Sequence, residues 1–269
     1  MKNVWRLLDT PPSNGAWNMA VDESILERIG RGEASPTLRL YAWHPPCLSL
    51  GRAQSFNDAD APRLKANGWE VVRRLTGGRA ILHTDELTYS VIGSADEPAF
   101  AGGVLESYNR IAQALLFAVR ELGLPVEMKA GHVSSAINPV CFEAPSAYEI
   151  IVNGKKLIGS AQARRRDGVL QHGSLPLAGD LTRVCQALTF TNEAERELAA
   201  QRLLKRATTM ASAWGEEINW ETVAQSYVRG FETQLGIRFE REELSASESE
   251  RADELVEKKY ANPAWTERI

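Results

Sequence analysis

The sequence has few of the features that mark secreted, membrane or metal-binding proteins. Its 269 residues include only three cysteines, and no two of them have the C-x-x-C spacing of a zinc or redox site. No apolar run is long enough to cross a bilayer, and the amino-terminal residues lack the apolar core of a signal peptide. We therefore expect a cytoplasmic protein with no metal site and no membrane partner.

The charge balance and the missing motifs exclude further classes. The net formal charge is −4, which argues against a general nucleic-acid partner because such proteins are usually basic. The phosphate-binding loop G-x-x-x-x-G-K-[ST] and the hydrolase motif G-x-S-x-G are absent. Basic residues still cluster at Arg73, Arg74 and Arg79 and again at positions 164–166. An acidic docking partner and plain solvation explain these clusters equally well.

Length and periodicity predict one large domain, or one domain with a small appendage. Apolar residues at helical spacing indicate helices, and alternating or short apolar runs indicate strands. The predicted helices cover residues 14–29, 61–66, 105–122, 180–187, 193–206, 220–235 and 245–260. The predicted strands cover residues 37–43, 47–50, 70–75, 86–92 and 126–129.

Capping residues refine two of these helices. Ser13 is the predicted N-cap of the first helix, and Asp22 and Glu23 are expected to lie on its solvated face. Ser245 and Glu248 have the spacing of a capping box and begin the last helix. The acidic, helical residues 191–269 differ in pattern from residues 1–190, so we expect a small helical subdomain packed on a main domain.

Residues 147–177 carry the strongest local signal. Asn153-Gly154 and Asp167-Gly168 separate three apolar runs, and such dipeptides between apolar runs are typical of β-hairpins. The pattern predicts a three-stranded antiparallel meander. Residues 131–140, which precede it, have no periodicity and are expected to form a loop.

The stretch from Val72 to His83 is the most suggestive for binding. An apolar run enters the Gly77-Gly78 turn and a second apolar run leaves it, with arginines on both sides. Glycine lets backbone N–H groups approach a ligand closely, and arginine offers forked donors to phosphate or carboxylate. A surface hairpin with solvated arginines explains a Gly-Gly turn on its own at least as well.

Cys141 is the candidate nucleophile. It lies in an aperiodic, proline-flanked segment, and a cysteine on a loop near basic residues can have a lowered pKa and attack carbonyl carbons. The alternative is a small buried apolar side chain. That alternative is favoured for Cys47 and Cys185, which lie in apolar strand and helix patterns.

Lys156 and the histidines are weaker candidates. Lys155 and Lys156 follow the Asn153-Gly154 turn and must face opposite sides of a strand. A lysine that faces inward could stabilise a thiolate or an oxyanion, whereas two solvated turn lysines are the simpler interpretation. His83 and His172 lie on predicted strands, where a lone histidine is more often a hydrogen-bonded core residue than a base.

Taken together, these segments resemble the biotin–lipoate ligase superfamily, in its lipoate–protein ligase and octanoyltransferase branch. The family motif R-R-x-x-G-G-x-A-x-x-H matches residues 73–83, and the G-R-x-Q element matches residues 51–54. The family lysine, followed by an apolar pair and glycine, matches Lys156 to Gly159. Lipoate ligases usually have a third glycine where this chain has Arg79. Cys141 and its flanking residues are similar to LipM-type octanoyltransferases, which are cysteine acyltransferases.

The resemblance implies which residues form the active site. Cys141 and Lys156 would be catalytic, and no metal, ATP or other cofactor would be needed. The residues implied in substrate binding are Arg73, Arg74, Thr76, Gly77, Gly78, Arg79, Ala80, His83, Gly159, Ser160, Ala161 and His172.

The resemblance also implies the partners and the fold. Cys141 would take octanoyl from octanoyl-acyl carrier protein, and a lysine of a lipoyl domain, such as the glycine-cleavage H protein, would receive it. The arginines at 73, 74 and 164–166 could dock these acidic partners. The implied fold is an α/β (α+β) class with a mixed, largely antiparallel central sheet flanked by helices, like class II synthetases and biotin ligases.

Two other functions remain open. An ATP-dependent lipoate–protein ligase would use Lys156 and the Gly-Gly turn to hold an acyl-adenylate and would not need Cys141. A protein that only binds lipoyl domains or acyl chains would form no covalent intermediate.

Overall fold

The computed structural model describes residues 3–130, 148–166 and 168–269. Its strands are β1 (Asn3–Asp9), β2 (Thr37–Tyr41), β3 (Cys47–Leu50), β4 (Glu70–Arg73), β5 (Ile81–His83), β6 (Glu86–Gly93), β7 (Glu127–Ala130), β8 (Tyr148–Val152), β9 (Lys155–Arg165), β10 (Gly168–Pro176) and β11 (Ile237–Glu242). Its α-helices are α1 (Gly15–Gly30), α2 (Ala61–Ala66), α3 (Val104–Glu121), α4 (Arg183–Gln186), α5 (Glu193–Arg206), α6 (Met210–Trp214), α7 (Trp220–Leu235), α8 (Ala246–Leu255) and α9 (Pro263–Thr266).

A large mixed sheet forms the centre of the protein. Its eight strands are ordered β11-β1-β2-β6-β10-β9-β8-β7. The two pairs at the β11 end are parallel, and all pairs from β2 to β7 are antiparallel. The predicted fold class, a largely antiparallel sheet with flanking helices, is therefore confirmed. The predicted β8-β9-β10 meander is also present, although Asp167 of its second turn lies outside the described residues.

A second sheet carries the Gly-Gly turn. It has three strands in the order β4-β3-β5, with β4 parallel and β5 antiparallel to β3. The runs on either side of the turn therefore pair with β3 rather than with each other. The interpretation of this stretch as a simple hairpin is wrong, because β3 lies between the two runs.

Helices cover both faces of the large sheet. Tyr227 and Phe231 of α7 pack with Ile111 and Leu115 of α3 in one apolar cluster, which also contains Tyr89 of β6. On the other side, α1 and α8 share a second apolar cluster. Strands covered on both faces are buried along their length, as β2 and β6 are. The strand predicted over residues 37–43 is therefore present as β2, but the prediction that it is half-buried is wrong.

The first helix differs from its prediction in two respects. Its N-cap is Asn14, whose side chain accepts a hydrogen bond from the Trp17 backbone N–H, not Ser13. Asp22 and Glu23 are buried rather than solvated. Asp22 is paired with Arg39 of β2, whose guanidinium lies 2.8 Å from the Asp22 carboxylate, and such pairing is what permits a buried carboxylate.

The carboxy-terminal third joins the main body more closely than its composition suggests. Helices α5 and α7 have their predicted bounds, and the capping box of Ser245 and Glu248 is formed. The helix predicted over residues 245–260 is present as α8, which ends at Leu255 and is followed by a π-helical turn over Val256–Tyr260. Strand β11, which was not predicted, pairs with β1 at the edge of the large sheet. The division into 1–190 and 191–269 stays a prediction.

Within the parts of the chain that the structure describes, no helix combines the length and the apolar character that crossing a bilayer requires.

Candidate active site

A cavity of about 240 Å³ lies where the middle of the large sheet meets the small sheet. Its wall draws on α1, on β2, β6, β9 and β10, and on β3 and β5. The predicted site residues that line it are Arg74, Gly78, Arg79, His83, Lys156, Gly159, Ser160, Ala161 and His172. The fold thus brings together two sequence motifs that lie about 80 residues apart.

Arg73, Thr76, Gly77 and Ala80 do not line this cavity. Arg73 is fully buried, and its guanidinium donates to the carbonyl oxygens of Gly51, Gln54 and Thr266 at 2.9, 2.5 and 2.7 Å. These contacts are intramolecular and hold the chain near its carboxy-terminal helix. A substrate-binding role of these four residues stays a prediction.

Sequence reasoning missed several wall residues. They are Met19, Tyr41, Trp43, Ser49, Ile81, Thr88, Gly173 and Ser174. Ser49 and Thr88 are polar residues in the interior of buried strands, and that pattern could have indicated a polar cavity. Gly173 and Ser174 directly follow His172 on β10.

The Gly77-Gly78 turn is packed against the G-R-x-Q element. A Cβ atom at Gly51 would overlap the carbonyl oxygen of Gly78, so only glycine fits there. Gly78 itself has a φ of +91°, a backbone conformation that L-residues with side chains rarely adopt. The Arg52 backbone N–H donates to the Thr76 carbonyl at 2.8 Å. The two motifs therefore form one unit, in which residues 75–79, the diglycine loop, rest on residues 51–54.

The Arg74 guanidinium is hydrogen-bonded to several residues of this loop. Its Nε donates to the Thr76 hydroxyl at 3.2 Å, and one terminal nitrogen donates to the carbonyl and hydroxyl of Ser49 at 2.8 and 3.1 Å. The other terminal nitrogen donates to the carbonyls of Gly77 and Arg79, both at 2.8 Å. A guanidinium has five N–H groups, and these five bonds use all three of its nitrogens.

His172 connects the loop to the buried Asp22–Arg39 pair. Its Nε2 lies 2.7 Å from the Thr76 hydroxyl, and its Nδ1 lies 3.7 Å from Asp22 Oδ2. Burial lowers the pKa of His172 below its ordinary value of 6.5, which favours the neutral ring at pH 7. Burial alone would raise the pKa of Asp22, but Arg39 and His172 outweigh it, so the pKa of Asp22 is lowered and the carboxylate stays charged.

His83 stands in a similar arrangement on the other side of Arg74. Its Nε2 lies 2.8 Å from the Ser49 hydroxyl, and its Nδ1 lies 2.6 Å from Glu86 Oε1. Burial alone would raise the pKa of Glu86, but His83 and neighbouring hydroxyls outweigh it and the pKa is lowered. Trp43 stacks on the His83 ring, with ring centroids 3.9 Å apart, and donates from Nε1 to Thr88.

Lys156 supplies positive charge to the wall. The side chain is only 4% exposed, and its Nζ lies 3.0 Å from Glu149 Oε1. Lys155 points the other way and donates to the Leu204 carbonyl at 2.7 Å. The predicted division of the two lysines between opposite faces is therefore confirmed, although neither of them is simply solvated.

Close backbone packing shapes the wall next to Lys156. A Cβ atom at Gly173 would lie 2.6 Å from the Gly159 carbonyl, from Ser160 Oγ and from the Tyr89 ring. No side chain fits at that point, because the strand backbone and the side chains of Ser160 and Tyr89 already fill it. The apolar side chains in the cavity wall, Met19, Trp43 and Ile81, suit an acyl chain.

The cysteines divide into two groups. Cys141, the predicted nucleophile, lies outside the described residues, as does the predicted loop over 131–140. Cys47 and Cys185 are both fully buried, which confirms the prediction that they are core residues. Burial raises the pKa of Cys47 well above its usual range, so its thiol is unreactive at neutral pH.

The two basic clusters differ in burial, and the docking role stays a prediction for positions 164–166, where Arg164 and Arg166 are exposed. Arg73 and Arg74 are buried, so they cannot form a docking surface. Arg164 donates to the Phe100 carbonyl and to Ser107, and Arg165 contacts Glu23.

Among the described residues, no group of three or more histidine, cysteine or carboxylate side chains is arranged to hold a metal ion.

Comparison with known proteins gives a consistent answer. The model of the family "Lipoyl protein ligase A/B catalytic domain" matches residues 14–232. The chain is 40% identical to an octanoyltransferase LipM of Kyrpidia tusciae, over 98% of this chain and 99% of that protein. It is 41% identical to an octanoyltransferase LipM of Moorella thermoacetica, over 98% of both proteins.

Solved structures agree with this assignment. The bipartite lipoate protein ligase of Thermoplasma acidophilum superposes with a TM-score of 0.79 at 26% identity, over 99% of this chain and 96% of that one. A lipoate-protein ligase A bound with ATP gives the same TM-score and identity, over 99% of both chains. The protein therefore belongs to the lipoyl protein ligase A/B catalytic domain family, in its octanoyltransferase branch.

Proposed function

We propose that this octanoyltransferase moves an octanoyl group through a thioester on Cys141 to a lysine of a lipoyl domain. The main support for the proposal is the cavity, where a nearly buried lysine lies in the same wall as the apolar side chains of Met19, Trp43 and Ile81, which suit an acyl chain. The octanoyltransferases that resemble this chain over almost its whole length support the same activity.

The reaction has two balanced steps. In the first, the Cys141 thiolate attacks the carbonyl carbon of the donor thioester, a new carbon–sulfur bond forms, and the donor thiolate leaves. In the second, a neutral lysine amine attacks the Cys141 thioester, an amide bond forms, and the Cys141 thiolate leaves. The amine gives up one proton in this step. Neither step consumes ATP, because a thioester is already activated.

Lys156 would stabilise negative charge in both steps. A fixed ammonium group in a cavity with little water stabilises a thiolate or an oxyanion more strongly than it would in bulk solvent. Its ion pair with Glu149 holds the ammonium in the wall at 3.0 Å. The charge of Lys156 is therefore positioned before the substrate binds.

The partners and setting belong to the same proposal. The donor would be octanoyl-acyl carrier protein, and the acceptor a lipoyl domain such as the glycine-cleavage H protein. Both would meet the enzyme in the cytoplasm.

Intact-mass analysis tests the covalent step. The wild-type protein mixed with octanoyl-acyl carrier protein, without ATP or Mg²⁺, is expected to gain the mass of one octanoyl group, and hydroxylamine is expected to remove it. Cys141→Ser should abolish the hydroxylamine-sensitive adduct, whereas Cys185→Ser, a change in the core, should retain it. No mass gain on the wild type, or a sensitive adduct that survives Cys141→Ser, would rule out the Cys141 mechanism.

An ATP-dependent lipoate–protein ligase is the second candidate, because a ligase bound with ATP superposes over 99% of the chain. It requires acylation of a lipoyl domain from free lipoate or octanoate, with ATP and Mg²⁺, that persists in Cys141→Ser. A protein that only binds acyl chains or lipoyl domains would give neither product.

A further inference from the structure

Arg74 is the centre of two buried arms of the same chemical kind. In each arm a hydroxyl, a histidine and a carboxylate follow one another outward from the guanidinium. The first arm consists of Thr76, His172 and Asp22, and the second of Ser49, His83 and Glu86. We call these seven residues the Arg74 brace.

The surroundings of the first arm favour one hydrogen-bond direction, because the carboxylate next to His172 Nδ1 selects the tautomer with its proton on that nitrogen. The Thr76 hydroxyl accepts from Arg74 Nε, so its own hydrogen is available to His172 Nε2 at 2.7 Å. With Nε2 as acceptor, the neutral ring of His172 carries its proton on Nδ1, which faces the carboxylate of Asp22. That carboxylate is held in place by Arg39 and Ser90 at 2.8 and 2.6 Å.

The second arm constrains His83 in the same way. Nδ1 of His83 lies 2.6 Å from Glu86 Oε1, and two acceptors cannot meet at that distance, so this nitrogen carries a proton. Nε2 faces the Ser49 hydroxyl, which also accepts from Arg74. Both nitrogens of each ring therefore face protein groups, which leaves no ring nitrogen to take a proton from a substrate.

We propose that Thr76 and His172 are positioning residues that hold Arg74, and through it the diglycine loop, against the cavity. The loop is the part of the wall that this arm can move, because Arg74 donates to the carbonyls of Gly77 and Arg79. In this role His172 contributes to octanoyl transfer without exchanging a proton with substrate. The inference rests on the proposed function only for its kinetic test.

A spectroscopic experiment tests the proton positions without any substrate. Nitrogen-15 NMR of the full-length protein, with signals assigned by His172→Gln and His83→Gln, is expected to show both rings protonated at Nδ1, and His172 unprotonated at Nε2, near pH 7. A proton on Nε2 of His172, in either the other tautomer or the imidazolium, overturns the proposal.

Paired substitutions test the positioning role. Thr76→Val keeps the volume of threonine but leaves Arg74 Nε and His172 Nε2 without their partner. Thioester formation on Cys141 should fall about 30-fold, since buried groups left without a partner carry their full desolvation penalty and the loop shifts to relieve it. Thr76→Ser keeps the hydroxyl and should recover most of the rate. Equal rates in the two variants, both close to that of the wild type, would contradict the proposal.

The pH profile separates a positioning residue from a general base. His172→Gln keeps an acceptor for the Thr76 hydroxyl but removes the titrating ring. We expect the whole profile of kcat/KM to fall about tenfold while its limbs stay at the same pH. Loss of the acidic limb in this variant would identify His172 as the base and overturn the proposal. If the wild type forms no acyl-enzyme, the proposed function fails. The NMR result still tests the proton positions of His172 and His83 in the Arg74 brace.

Discussion

Arg73 and Arg74 are consecutive residues with the same side chain and nearly the same burial, yet they serve two different regions. Arg73, at the end of β4, turns outward to the carbonyls of Gly51, Gln54 and Thr266. Arg74 turns inward to Ser49, Thr76 and the diglycine loop. Successive side chains on an extended chain point to opposite faces, so a double arginine places one fork in the scaffold and one at the site.

The outer region gives the scaffold its stability. The Trp265 indole donates to the Arg73 carbonyl at 2.8 Å, while Arg73 donates back to the carbonyl of Thr266. Helix α9 is therefore bound to β4 by a reciprocal set of contacts. The inner region is shaped instead by hydroxyls and histidines in the cavity wall and by carboxylates that contact those histidines. Substitutions in the two regions should consequently affect different measurements.

The largest effect is expected from Arg74→Lys. Lysine has three N–H donors on one nitrogen and cannot replace a fork that serves five acceptors. Octanoyl transfer should fall by about 100-fold or more, as several buried groups lose their partner. Steady-state transfer rates measure the change, with Arg238→Lys, an exposed arginine, as the matched control. A loss below about threefold in Arg74→Lys would show that the inner fork is dispensable.

Arg73→Lys should affect stability more than activity. Loss of the guanidinium leaves buried carbonyls without donors, which should lower the free energy of unfolding by about 2–4 kcal/mol. Urea unfolding measures that cost, and activity per folded molecule should drop much less than in Arg74→Lys. If activity fell equally in both variants with stability unchanged, the division between scaffold and site would be wrong.

Two glycines of the loop unit offer an internal comparison of stability. Gly51→Ala should destabilise the protein by about 2–3 kcal/mol, because the new methyl group overlaps the Gly78 carbonyl and the backbone must move. Gly77→Ala should have a much smaller effect, because its Cβ would meet nothing within 4 Å. Thermal unfolding of the two variants side by side tests this difference. Similar losses in both would mean that the loop does not rest on residue 51.

The smallest expected effect is on the pH dependence of folding stability, and it arises only from the inner region. His172 has a lowered pKa when folded and an ordinary value of 6.5 when unfolded, so the unfolded state binds the proton more readily. The stability that this histidine contributes is fully present above pH 6.5 and decreases as the pH falls below it. Unfolding midpoints measured at several pH values should show this slope. His172→Gln should flatten it, whereas Arg73→Lys should leave it unchanged.

Much of the local structure was predictable from residue pattern. The bounds of α5 and α7 and the turn at Asn153-Gly154 agree with prediction, because their signals lie within short stretches of chain. The motifs also identified residues of β9 and of the diglycine loop that do line one cavity. Local periodicity and turn chemistry are sufficient where the structure depends on neighbours in sequence.

The remaining features depend on distant partners. Strand β11 is charged and largely exposed, and only its pairing with β1, more than 200 residues away, makes it a strand. Asp22 resembles a solvated helix residue until Arg39 and His172 are placed beside it. The opposite directions of Arg73 and Arg74 follow from strand alternation, but their partners come from distant segments. No pattern within a short window contains that information.

The stacking of Trp43 on His83 has a practical consequence. Indole fluorescence responds to a neighbouring imidazole and to the polarity around the ring, and Trp43 forms part of the cavity wall. An acyl chain that enters the cavity would replace water near this indole, so emission from Trp43 should shift as the site fills. The protein thus carries its own optical probe of occupancy, which a comparison with Trp43→Phe would isolate from the other tryptophans.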